Sequence, residues 1–65
     1  MWILIQKEIK GDREKYMIYD NYINMIKYIF SFNNVKRYNK YYFVSHFNNI
    51  EFIIKLGEYN EGNSR

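Results

Sequence analysis

A chain of 65 residues and 8.2 kDa has room for one domain and buries only about 60% of its unfolded surface. It holds no cysteine, which removes disulfide staples and thiolate metal sites, and its net charge is +3. The apolar run Trp2–Ile5 falls far short of the roughly 18 residues a membrane span needs.

Only Met1 precedes that run, so the charged region and cleavage site of a signal peptide are missing. The expectation is a small soluble protein of the cytoplasm. Ile, Asn, Tyr, Lys and Phe supply 39 of the 65 residues, while Ala, Thr, Pro and Cys are absent. The favoured residues share AT-rich codons, and a short frame of that kind is typical of phage or mobile-element cargo. In that case the cytoplasm would be a host cell's. Aromatics make up 22% of the chain, more than so small a core can enclose, so several tyrosines must face outward, where Tyr is typical of binding patches.

In chain order, residues 2–9 alternate loosely, with Ile3, Ile5 and Ile9 against Gln6 and Glu8, the period of a strand. Lys10-Gly11-Asp12-Arg13 is a turn signal in which Gly11 can take positive φ. Residues 14–19 resume the alternation, so the first nineteen residues read as a β-hairpin.

The period changes at Asp20. Tyr22, Ile23, Ile26, Ile29 and Phe30 recur at helical spacing, with Asn21, Asn24, Lys27 and Ser31 opposite. Asp20 is the expected N-cap, and Asn33-Asn34 the expected stop, because Asn tolerates left-handed backbone. A loop over Lys36–Asn39 should then lead into a strand at residues 40–45.

Residues 48–57 admit two readings. As a helix, Asn48 would be the N-cap, Glu51 would complete a capping box and Gly57 would end it. As a strand, Ile50, Phe52, Ile54 and Leu56 would share a face behind an Asn48-Asn49 turn. A weak internal echo favours the helix: Tyr16-Met17-Ile18 before Ile23–Ile26 resembles Tyr42-Phe43-Val44 before Ile50–Ile53. The expected fold is α+β with order ββαβα, and ββαββ is the alternative. Residues 1–59 would form the domain, and 60–65 a disordered polar tail.

Catalytic signatures are missing. Ser45 and His46 are adjacent, and on a strand they would point to opposite faces, so they make no nucleophile–base pair. His46 reads as a loop residue. No His-x-x-x-His spacing or glycine-rich phosphate loop occurs. A non-enzyme without metal or cofactor is expected.

Charge is more informative. Residues 1–20 carry four bases and four acids, whereas residues 21–50 carry Lys27, Lys36, Arg37 and Lys40 with no acid. The basic groups are densest in Lys36-Arg37-Tyr38-Asn39-Lys40-Tyr41-Tyr42. The expected partner-binding residues are therefore Lys36, Arg37, Tyr38, Lys40, Tyr41 and Tyr42. The expected function is stoichiometric: an inhibitor or modulator of a host protein, for example a defence nuclease or another nucleic-acid-processing complex, in the manner of an anti-CRISPR protein. A small DNA- or RNA-binding module is the alternative, with cations on phosphates and tyrosines stacking on bases. A homodimer is a further expectation, because so small a core yields only about 3–5 kcal/mol.

Overall fold

A computed structural model describes residues 1–57; the domain end at 59 and the polar tail at 60–65 lie outside the described residues. The N-terminal hairpin forms as expected, from β1 (Trp2–Glu8) and β2 (Glu14–Tyr19) paired antiparallel. Gly11 has no positive φ. A Cβ there would meet only the flexible end of the Glu8 side chain, which can swing aside.

The helix α1 (Tyr22–Ile29) is capped by Asn21 rather than Asp20. The Asn21 side-chain oxygen accepts from the backbone N–H of Ile23 at 2.8 Å and of Asn24 at 3.3 Å, satisfying two donors that a helix start leaves free. Its buried face is carried by Met25 and Ile29, while Ile23 and Phe30 are 58% and 49% exposed. The apolar stripe is thus rotated from the one expected. Asn34 does take positive φ, 56°, but it serves the turn beyond the helix, which already ends at Ile29.

Three strands follow where one strand and a helix were expected. They are β3 (Lys36–Asn39), β4 (Tyr42–Ser45) and β5 (Ile50–Leu56), giving a ββαβββ order. The described residues form a small α+β domain: one five-stranded antiparallel sheet in the order β2-β1-β5-β4-β3, with one α-helix.

The strand at β5 replaces the preferred helical reading for a packing reason. Alternate residues Phe52 and Ile54 are buried against the helix side, and Ile53 points the other way. A helix there would need apolar cover around most of its girth, which the rest of the chain cannot supply. The β-branched isoleucines also favour a strand. Asn48 is not a helix cap; its side-chain amide donates to the Asn33 carbonyl and to Ser45 Oγ. Asn49, at φ 60°, turns the chain into β5. β3 replaces the expected loop because Lys36 and Arg37 pair with Val44 and Phe43 along the open side of β4.

Leu4, Met25, Ile29, Phe43, Phe52 and Ile54 form the core between sheet and helix. Edge-on rings tighten it, with Phe52 centred 6.3 Å from Tyr28 and 5.2 Å from Phe32. The Tyr28 hydroxyl donates to Gln6 Oε1 at 2.6 Å, tying α1 to β1. Ser45, fully buried, donates to the Asn33 carbonyl at 2.8 Å, tying the end of β4 to the loop after the helix. His46 begins a short 3₁₀ turn, His46–Asn48, so it is a connecting residue as expected. Among the described residues no helix is long and apolar enough to cross a membrane.

Candidate functional site at the basic sheet edge

The six residues singled out for partner binding lie together at the β3–β4 hairpin, and the sheet register divides them by face. Arg37 pairs with Phe43, a core residue, so its side chain lies on the helix side of the sheet. Lys36 pairs with Val44 and takes the opposite, helix-free face. An irregularity between Arg37 and Asn39 shifts the register there. Tyr38 stacks beside Tyr42, ring centroids 5.5 Å apart. Tyr42 is opposite Ile53, which points away from the helix, so Lys36, Tyr38 and Tyr42 share the helix-free face. Lys40 and Tyr41 occupy the tip, where the Asn39 side-chain oxygen accepts from the Tyr41 N–H at 2.7 Å.

Two lysines lie over tyrosine rings: Lys36 Nζ is 5.3 Å from the Tyr38 centroid and Lys40 Nζ is 5.8 Å from that of Tyr41, both in cation–π range. The rings remain open, Tyr38 at 51% and Tyr41 at 45% exposure. Tyr42 is half-buried, and its hydroxyl donates to Glu51 Oε1 at 2.6 Å. That bond, followed by burial, pushes the Tyr42 hydroxyl above the ordinary tyrosine pKa.

On the helix side, Arg37 stands at a groove of about 250 Å³ floored by Tyr22, Ile26, Phe30 and Phe43. The Tyr22 hydroxyl donates to the Lys40 carbonyl at 3.0 Å, so α1 braces the hairpin tip. The edge thus offers a guanidinium beside an apolar slot on one side and a lysine with two stacked tyrosines on the other. A larger open groove of about 400 Å³ lies at the opposite end of the sheet, but Lys7, Arg13 and Lys15 there face Glu8 and Glu14, and the opposed signs concentrate no field.

Two features escaped the sequence reading. Phe30, assigned to the buried stripe, instead lines the Arg37 groove. The helix-free face carries an apolar group, Ile3, Ile5, Tyr16, Ile18, Val44 and Ile53, with the charged Lys7, Glu14, Lys36, Glu51 and Lys55 beside it by register. Its signal was present in β1, where Ile3 and Ile5 alternate with Trp2 and Leu4 so that both faces begin apolar.

Comparison of the chain with protein-family models, with curated proteins and with solved structures finds no match.

Proposed function

We propose that the chain is a non-catalytic binding protein that acts by stoichiometric occupancy and docks through the β3–β4 edge. The observation that carries this reading is the projection of Lys36, Arg37, Tyr38, Lys40 and Tyr41 from one open sheet edge, all exposed, within a stretch of residues 21–50 that contains no acid. The hairpin, braced at its tip by Tyr22, presents cations and aromatic rings, and Arg and Tyr dominate binding hot spots. The complementary surface is acidic with apolar projections. The role that fits such a module is inhibitor or modulator of a host protein, a nucleic-acid-processing complex foremost.

The test is a binding titration with a partner captured from the host. The double variant R37A/Y38A removes one anchor from each face of the edge. It should keep the fold and weaken binding at least about tenfold, the factor that 1.4 kcal/mol produces. Inhibition should reach its end point at molar equivalence; loss of the partner's activity at far lower ratios would refute occupancy as the mechanism. Unchanged binding by the double variant would place the site elsewhere.

Direct nucleic-acid binding is the second reading, favoured by the lysine–tyrosine pairs at Lys36/Tyr38 and Lys40/Tyr41. It requires a gel shift that weakens about tenfold or more between roughly 50 and 200 mM salt. Absence of a shift at low salt removes it.

A further inference from the structure

Among the described residues the sheet has a helix on one face and none on the other, and they measure 17 Å in the thinnest dimension, enough for two layers and not three. The uncovered face is not the polar one that a half-solvated antiparallel sheet normally presents. Its central row runs Tyr16, Ile5, Ile53, Tyr42 across β2, β1, β5 and β4, with Ile18, Ile3 and Val44 in the flanking rows. Tyr16 and Ile18 are 63% and 67% exposed. Ile5 and Val44 are buried as well but are not members of the core cluster beneath the helix.

The charges on this face indicate what covers it. The middle strand of the sheet is β5, and its residues on the uncovered face are Glu51, Ile53 and Lys55. The order is acid, apolar, base, with the apolar residue central. Two copies stacked face to face about a two-fold axis over Ile53 lay β5 antiparallel upon itself. Glu51 of each copy then meets Lys55 of the other, twice, while isoleucine meets isoleucine at the pivot. Stacked sheets lie about 10 Å apart and cross at about 30°. At two residues from the pivot, about 6.6 Å, that crossing moves the charges by only about 3 Å, within reach of both side chains. Along β5 the pattern is self-complementary, and the other charges on this face, Lys7, Glu14 and Lys36, lie off β5 in the row of Glu51.

We propose that the uncovered face is a homodimer interface in which two copies of this chain form a sheet sandwich, with reciprocal Glu51–Lys55 pairs across the two-fold. From strand spacing and rise, the face offers a footprint of about 400 Å² per copy, about 800 Å² in all, which is below the roughly 1,200 Å² of stable interfaces and makes the expected dimer a weak, transient one. The β3 edges of both copies lie on the same side of the dimer, where stacking covers the face of Lys36, Tyr38 and Tyr42 and leaves Arg37, on the helix side, open. Lys36, Tyr38 and Tyr42 belong to both surfaces, but Lys55, on which the test turns, belongs to the dimer face alone.

Sedimentation of the full chain up to about 500 μM tests this, with tenfold steps read as affinity changes. The wild type should show a concentration-dependent monomer–dimer equilibrium. K55E and E51K should each weaken it at least about tenfold, because each places like charges across the axis. An equimolar mixture of the two variants should recover dimer, since the K55E and E51K chains are complementary at both pairs. A wild type that remains monomeric, a dimer indifferent to K55E, or a mixture no tighter than its components would overturn the proposal. Should E51K fail to fold after losing its bond from Tyr42, K55E compared with K55Q decides. Glutamate must weaken the dimer more than glutamine, and equal effects overturn it.

Discussion

The bond from the Tyr42 hydroxyl to Glu51 joins the β3–β4 hairpin to the central strand, and it should make the protein sensitive to alkaline pH. The Tyr42 pKa is raised first by this hydrogen bond and then by burial, and those of Tyr28 and Tyr19 are raised by burial. A group whose folded pKa lies above its unfolded value contributes stability that is complete below the unfolded pKa. That contribution is lost as pH rises through the folded one. Thermal melts should therefore show stability falling above about pH 10, the unperturbed tyrosine value. Tyr42→Phe should cost about 1 kcal/mol at pH 8, through the missing hydrogen bond, and the gap from wild type should close above about pH 10. A gap that is constant across this range would show that the bond does not govern the alkaline transition.

At the level of elements, the strands differ in how firmly they are held. β5 is paired on both sides, by β1 and β4, and contributes Phe52 and Ile54 to the core. β3 is paired only by β4, is four residues long, has an irregular register and buries nothing. Short, irregular, lysine-bearing edges also resist unwanted strand pairing. Native-state hydrogen exchange should accordingly find the slowest amides within Ile50–Leu56 and, among the strands, the fastest within Lys36–Asn39. Addition of a docked partner should slow the latter. Equal protection of the two strands in the isolated protein would mean that the β3 edge is already covered. The other edge, β2, is longer and regular, with the run Tyr16–Tyr19 on it. Its exposed tyrosine and isoleucine belong to the same uncovered face on which the dimer is argued.

For the whole molecule, stability rests on one thin core. Phe52 sits at its centre, fully buried between Tyr28 and Phe32. Truncating a buried phenylalanine costs about 3–5 kcal/mol, and a core of this size supplies about that much in total. Phe52→Ala should therefore abolish the cooperative melting transition of the isolated chain. If a cooperative transition survives at high protein concentration and fades on dilution, the added stability comes from self-association, since only an oligomer links melting temperature to protomer concentration. The surplus of aromatics noted in the composition has a definite disposition. Tyr28, Phe32, Phe43 and Phe52 line the core or its margin, Trp2 and Tyr22 meet at 4.8 Å beside it, and Tyr16, Tyr38 and Tyr41 remain outside.

The hairpin at residues 2–19 and the helix near residues 22–30 could be read from the chain because their signals are local: a turn tetrapeptide, a change of period and an asparagine or aspartate at the helix start. Even there, the choice of Asn21 over Asp20 as the cap depended on where the chain leaves β2. The run Ile50–Leu56 carries no such signal. Apolar residues at every phase satisfy a strand and a helix alike, and the resemblance to residues 16–26 pointed to the helix. Pairing between β1 and β4 decided for a strand. β3 was invisible because Lys, Arg and Asn have no preference for a strand; only the open side of β4 makes them one. Composition alone located the basic, aromatic segment from Lys36 to Tyr42. Its division into an Arg37 groove and a Tyr38–Tyr42 stack came from the register of the β3–β4 pair. The sign order Glu51-Ile53-Lys55 is written in the chain, but it acquires meaning only when β5 becomes the middle strand of a sheet with one face uncovered. Local chemistry determines which segments turn, cap and alternate, whereas long-range pairing determines which of two faces each side chain meets.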